Sequence, residues 1–416
     1  ESLNAFEKLV WGWENIRECY MLNGEVDFIL KCVSNNKTYP ISLLNDVSNV
    51  LKNHVTNIRN QITPSTDDYK FKMKRFKYLT IIFLGVLLIS CGSNSGHKKS
   101  DFTIKTNAIK GNISNSATLQ LSLENKKNHT IDSILYRLNG NIINEASALN
   151  NFKLGKQTVE ATIYYDGEKQ TTSSTVTILN SELPKVYTYK IINEYPHDIT
   201  SYTQGLEFYN DTLFESTGQL KESKLRKLNY KTGTVLKDLK LADEYFGEGL
   251  TILNNKVYQL TWQKGTGFVY DVNTFEKLSS FRYGNSKEGW GLCNYNNIIY
   301  KSDGTEKIWL LNSETLVEQE YIQVYTNKGK IIGINEMEWI DGKIYANRYQ
   351  KDGVAIINPK NGAVIGVVDF KPLKKLVTQH EGLDVLNGIA YNPKTKTIFV
   401  TGKRWDKLFE VEIIEK

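Results

Sequence analysis

One carboxylate, one indole and three carboxamides stand at matching places along this chain. Gln204, Glu248, Trp290, Asn335 and Asn387 each open one of five similar triplets: Gln204-Gly205-Leu206, Glu248-Gly249-Leu250, Trp290-Gly291-Leu292, Asn335-Glu336-Met337 and Asn387-Gly388-Ile389. Aromatic residues Tyr202, Phe246, Trp262 and Tyr349 lie close by in sequence. A lone carboxyl walled by aromatic rings loses hydration, and its pKa rises toward a value useful for proton transfer near neutral pH. The competing reading gives these residues no chemistry. Polar side chains at the centre of a ring of sheets often only solvate a water channel, and a site must be argued from its own geometry.

The elements that hold these residues follow from their spacing. The second residues of the triplets are 44, 42, 45 and 52 positions apart. A second marker keeps step with them: Leu228–Gly233, Tyr270–Phe275, Leu311–Leu316 and Ile357–Gly362 all read as strand, tight turn, strand. A period of roughly 40–50 residues with about four short strands per unit is the signature of a propeller blade. The expectation over 186–416 is a five-bladed β-propeller whose innermost strands bring the triplets to one mouth. The leading run Val186–Ile192 has no blade of its own, and the last repeat, ending near Ile413, is short. Pairing the two would cover an otherwise open edge.

Bulk properties set further limits. The chain has 416 residues, 40% hydrophobic and 24% charged, which argues for a folded chain of more than one domain. A net charge of +6 is mild and carries no basic stripe interleaved with aromatics, so nucleic acid is not an expected partner. Cys19, Cys32, Cys91 and Cys293 are too dispersed for a disulfide framework or a CxxC zinc site. His197 and His380 are too far apart in sequence to argue a metal pair, and Cys293 reads as a small core residue.

Residues 73–91 begin Met-Lys-Arg-Phe-Lys, continue through about a dozen apolar residues and end Leu-Ile-Ser-Cys, the layout of a secretory signal. Leu88–Cys91 resembles a bacterial lipobox, which implies lipid attachment at Cys91, a linker over 92–100 and anchorage in the cell envelope on the periplasmic or extracellular side. The apolar stretch is short for a membrane-spanning helix. The segment in front resembles the effector-binding domain of the Lrp/AsnC transcription regulators, on Phe6–Val10, Ile16–Tyr20 and Asn23–Lys31. That resemblance implies a ferredoxin-like α+β fragment over 1–66 that binds amino acids. A signal in this internal position is expected if two neighbouring genes are joined, with Met73 the start of the second. Between them and the repeats, residues 101–180 alternate like a small immunoglobulin-like β-sandwich, with turn signals at Asn139-Gly140 and Asp166-Gly167 and no cluster of chemical groups. A spacer or docking role fits it.

Six motifs in order, Tyr202–Leu206, Phe246–Thr251, Glu288–Leu292, Ile334–Trp339, Leu386–Ala390 and Val400–Trp405, resemble the plant and bacterial type of glutaminyl-peptide cyclotransferase. The resemblance covers about 186–416. It implies a five-bladed propeller that converts the N-terminal glutamine of peptides or proteins to pyroglutamate with loss of ammonia. It implies no cofactor, no metal and a monomeric propeller. By residue matching, Glu248 is the acid/base residue, Gln204 and Asn335 bond the substrate amide and amine, Trp262, Trp290 and Phe246 wall the pocket, and Lys403 contacts its rim. Two departures keep an aromatic ring, Tyr202 for the family's phenylalanine and Tyr349 for its tryptophan, and leave substrate preference open. Glu207, Glu336 and Glu338 are expected to be solvated or to bridge blades, with Glu336 in a usual glycine position.

Overall fold

Short apolar runs punctuated by Asn, Asp and Gly give a chain built of strands, and the chain is mainly β. The computed structural model describes residues 16–22, 27–32 and 100–416. It divides into Glu1–Asn94 and Ser95–Lys416. In the first unit, β1 (Ile16–Leu22) pairs antiparallel with β2 (Asp27–Cys32). The remainder of the expected ferredoxin-like fragment, the 73–91 segment and Cys91 lie outside the described residues. Among the described residues no helix is long and apolar enough to cross a membrane.

The second unit begins with β3 (Phe102–Thr106), β4 (Asn112–Ser114), β5 (Thr118–Asn125), β6 (Ile131–Leu138), β7 (Asn141–Ile143), β8 (Ala146–Ala148), β9 (Gly155–Tyr165) and β10 (Glu168–Leu179). They form two sheets, β4-β10-β9-β6-β7 and β3-β5-β8. Asn139-Gly140 and Asp166-Gly167 carry paired positive φ angles and close the β6–β7 and β9–β10 hairpins. The core of these sheets holds Leu119, Leu138 and Ile163, and also Tyr325 and Ala363 from the repeat region. Gln323 seals the junction: its side chain accepts from Lys156 N at 3.2 Å and donates to Lys156 O at 3.1 Å. The two regions therefore share one interior.

Next come β11 (Lys185–Pro196), β12 (Thr203–Tyr209), β13 (Thr212–Thr217), β14 (Lys224–Asn229), β15 (Thr234–Lys240), β16 (Gly247–Leu253), β17 (Lys256–Thr261), β18 (Thr266–Asp271) and β19 (Lys277–Arg282). They are followed by β20 (Leu292–Tyr295), β21 (Ile298–Ser302), β22 (Lys307–Asn312), β23 (Glu318–Gln323), β24 (Ile334–Ile340), β25 (Lys343–Arg348), β26 (Gly353–Ile357), β27 (Val364–Asp369), β28 (Leu386–Asn392), β29 (Thr397–Gly402) and β30 (Lys407–Glu415). β12–β15, β16–β19 and β20–β23 are four-stranded sheets, and the others run β24-β25-β26-β27-β11-β30-β29-β28. The leading strand β11 pairs antiparallel with β30, as its sequence position suggests, and also pairs parallel with β27 through Lys185–Tyr187. The strands that open the units touch in succession: β12 with β16, β16 with β20, β20 with β24, β24 with β28, and β28 with β12.

Turn chemistry explains the repetition. Asn210-Asp211, Asn254-Asn255, Asn296-Asn297 and Asp341-Gly342 each have two successive positive φ angles, which Asn, Asp and Gly enter most cheaply. They close the first hairpin of four units. In the second marker, Asn229, Asp271, Asn312 and Asn358 each cap the turn, their side-chain oxygen accepting a backbone N–H two residues on.

The triplet glycines mark where opening strands approach backbone to backbone. A Cβ on Gly205 would lie 2.4 Å from Leu250 N, one on Gly249 2.5 Å from Gly291 Cα, and one on Gly291 2.0 Å from Asn335 O. Glu336 breaks the series, and its carboxylate accepts from Ile389 N at 2.9 Å. Glu207 accepts from Thr251 Oγ1 and Ile252 N, and Glu338 from Tyr391 N. All three glutamates thus bridge adjacent units, and burial pushes the carboxyls of Glu336 and Glu338 well above the usual range and Glu207 up to about 7.

Candidate active site

The first and second strands of each unit run antiparallel, so the start of one and the end of the other lie at the same end of the sheet. Thr203 faces Thr217, Gly247 faces Thr261, Ile334 faces Arg348, and Leu386 faces Gly402. In these four units the register slips just inside the opening strand, at Gln204, Glu248-Gly249, Asn335-Glu336 and Asn387-Gly388. Such bulges turn a side chain out of the ladder, and here they aim the triplet residues off the sheet end. The first residue beyond the second strand is Gly218, Trp262, Asp303, Tyr349 or Lys403, and three of these five reach the same cavity.

That cavity is about 250 Å³, lined by Tyr202, Gln204, Gln219, Phe246, Glu248, Trp262, Trp290, Asn335, Tyr349 and Lys403. Every residue singled out from the sequence for catalysis or substrate binding lines it. Asn387, expected at the mouth with them, stands behind Gln204 instead, donating from Nδ2 to Gln204 Oε1 at 3.1 Å and to Thr203 O at 2.9 Å.

The wall is a closed palisade. Tyr202 meets Phe246 edge-on at 6.2 Å, and Phe246 meets Trp262 at 5.6 Å. Trp262 Nε1 and Trp290 Nε1 both donate to Glu288 Oε2, at 2.8 and 2.9 Å. Trp290 meets Tyr349 at 5.5 Å. The ammonium of Lys403 lies over both Tyr349 and Tyr202, 5.4 and 4.6 Å from their ring centres, and completes the circle.

Glu248 sits inside this wall, buried, and its carboxylate makes no hydrogen bond among the described residues. Desolvation pushes its pKa well above the usual carboxylate value; the charge of Lys403 opposes the rise and that of Glu288 adds to it. Lys403 is lowered by its own burial, with Glu248 and Asp384 acting the other way. Asn335 Oδ1 is buried and has no hydrogen-bond partner among the described residues. The pocket therefore offers a carboxyl group that holds its proton readily and an unsatisfied amide acceptor, both out of water.

A sequence model of the glutamine cyclotransferase family matches residues 161–413. This chain belongs to that family. It is 38% identical over 227 residues to a glutaminyl-peptide cyclotransferase of Arabidopsis thaliana, covering 54% of this chain and 71% of the relative. It is also similar to the crystal structure of Myxococcus xanthus glutaminyl cyclase, at 35% identity and a TM-score of 0.53, over 56% of this chain and 99% of that one. As a cyclotransferase family member the chain is an enzyme of this type, and the cavity is its candidate active site.

Two features of the site escape the motif reading, one lining the cavity and one bracing its wall. Gln219 lines the cavity from a backbone held at φ 86, a costly angle for a residue other than glycine. Glu288 was visible only as the residue two before Trp290; its hold on Trp262 needs the fold. No group of three or more metal-ligating side chains occurs among the described residues. His197 and His380 each donate to a backbone carbonyl, Trp405 O and Arg404 O. Cys293 is buried in the core.

Proposed function

We propose that this enzyme cyclises the N-terminal glutamine of peptides or proteins to pyroglutamate, releasing ammonia, with Glu248 as the proton shuttle. The observation that carries the reading is the buried Glu248 carboxyl, without a hydrogen-bond partner among the described residues, inside an aromatic palisade. The neutral α-amine attacks the side-chain amide carbon, a C–N bond forms, and the amine proton passes to Glu248. Glu248 returns that proton to the amide nitrogen as its C–N bond breaks, so ammonia leaves and the carboxylate is restored. Both reacting groups belong to one residue, so holding it in the ring-closing rotamer is much of the catalytic task. Asn335 Oδ1, which lacks a partner among the described residues, is suited to accept from the substrate amine or amide, and Gln204, held from behind by Asn387, to fix the other. Trp262, Trp290, Phe246, Tyr202 and Tyr349 exclude water, and Lys403 stabilises the ionised shuttle.

The fold reading that goes with it is a five-bladed propeller over 186–416. Successive contact of the five opening strands and completion of the last sheet by β11 support it. An immunoglobulin-like sandwich over 101–180 precedes it. The lipobox resemblance at Leu88–Cys91 supports anchorage in a bacterial envelope through Cys91, for which loss of membrane fractionation in Cys91→Ala is the test. For the activity, the test is ammonia release with the matching fall in peptide mass, beside Glu248→Gln. Turnover that collapses in the variant supports the assignment; equal turnover removes the role from Glu248, and binding without turnover makes the pocket a receptor for peptide termini.

A further inference from the structure

The loop between β19 and β20, residues 283–291, carries both Glu288 and Trp290 and closes around one cation. Lys301, near the end of β21, is fully buried. Its ammonium donates to the backbone carbonyl of Glu288 at 2.8 Å and to Ser286 Oγ, and it pairs with Glu318 at 3.4 Å. It also lies 4.1 Å from the ring centre of Tyr283. Each of these contacts leads on to the pocket wall. Glu288 fastens the indoles of Trp262 and Trp290. Glu318 accepts from Asn285 N at 2.7 Å and Ser286 N at 3.0 Å, which holds the start of the loop. The Tyr283 hydroxyl donates to Thr261 O at 2.8 Å and accepts from Thr261 N at 2.9 Å, so it fixes the residue before Trp262. Ser302, next to Lys301, accepts from Trp290 N at 3.0 Å and, on its hydroxyl, from Gly291 N at 2.7 Å.

We propose that Lys301 is a positioning residue for the substrate pocket, setting the loop 283–291 and through it the placement of Trp262 and Trp290. The inference rests on the cyclotransferase reading, in which those two indoles wall the glutamine side chain. Lys301 does not line the cavity, so it acts through the loop alone. Stability is a poor account of such a residue. A buried ion pair is seldom more stable than well-packed apolar side chains of the same volume. A methionine here would fill the space and leave the Glu288 carbonyl and Ser286 Oγ without their donor. Burial lowers the Lys301 pKa to about 8, with Glu318 and then Asp303 acting the other way, so the group keeps its charge at neutral pH.

The test is a double-mutant cycle in the full chain: parent, Lys301→Met, Glu288→Ala and the two together, assayed with a glutamine-initiated peptide. Lys301→Met should raise KM roughly tenfold, within the coupling range of one hydrogen-bonded network, and change kcat less. With Glu288 already replaced by alanine, the same change should add at most about threefold, because the fastening it serves is gone. Lys301→Met/Glu318→Gln removes both charges together and serves where the single variant does not fold, with melting curves to show which variants are folded. An unchanged KM in the folded variants, or equal effects with and without Glu288, overturns the proposal. If the parent turns over no peptide, the cyclisation reading fails on its own account. Acrylamide quenching of the indoles in the free protein then decides the positioning role. Quenching should rise in Lys301→Met and rise little further when Glu288 is also changed; quenching equal to the parent's overturns the proposal.

Discussion

Tyr202 donates its phenolic hydrogen to Asp384 at 2.8 Å, although the two lie 182 residues apart. The bond pins the ring that Lys403 covers and that Phe246 meets edge-on. A phenylalanine at 202 would keep the ring and lose the pin. Tyr202→Phe is expected to cost about 1 kcal/mol of stability, since Asp384 is only partly buried and regains water. It should raise KM more than it lowers kcat, as thermal melts and steady-state kinetics would show.

Glu248→Gln should lower kcat by about 10²–10⁴ while leaving peptide affinity measurable by calorimetry. The same change should stabilise the fold. A carboxyl whose folded pKa is raised contributes stability below its ordinary value of 4.5 that is lost as pH rises through the folded value. Glutamine has no such loss, so the variant's melting temperature should exceed the parent's by a margin that grows with pH. Equal melting curves at pH 8 would contradict this.

Lys403 and Glu288 pull the proton affinity of Glu248 in opposite directions. The acid limb of kcat/KM, where the shuttle must be ionised, should therefore lie above pH 4.5 in the parent. Lys403→Met should move that limb to higher pH, and Glu288→Gln to lower pH. Matching shifts in the same direction from both variants would refute the electrostatic account.

Glu288→Ala frees two indole N–H groups at once. KM should rise roughly tenfold from two lost hydrogen bonds of about 1 kcal/mol or less each, with a smaller change in kcat. Trp fluorescence should report the loosened rings.

Tyr325 is buried in the core of the sheets that precede the repeats. Tyr325→Ala should cost about 3 kcal/mol, as large aromatic truncations do. Calorimetry of the parent unit should show one transition for both regions. Two well-separated transitions would show that the shared interior does not couple them.

Much of this was legible from residues alone. The triplets were readable because opening strands that touch backbone to backbone demand glycine at Gly205, Gly249 and Gly291. Paired Asn and Asp residues announced the hairpins, since few others accept positive φ. Trp262, Tyr349 and Lys403, named from the family resemblance, also hold the same place in their units, directly after the second strand. Glu288 could not be given its role, because Trp262, which it holds, is 26 residues away in another unit. Asn387 was misplaced by treating all five triplets as equivalent, whereas it supports Gln204 from behind. For Glu207, Glu336 and Glu338 the residues left solvation and bridging between units both open, and packing decides for bridging, since each accepts a backbone N–H group from a neighbouring unit.

The palisade also constrains how this pocket can change. Its leaves overlap like those of an iris: Glu288 fastens two indoles, and Lys403 bears on two phenols. Resizing one leaf loosens the fastening of the next, so a change in substrate breadth by a lone substitution should cost rigidity. Inherited shifts in the aperture should arrive as adjacent pairs of substitutions, travelling round the rim together.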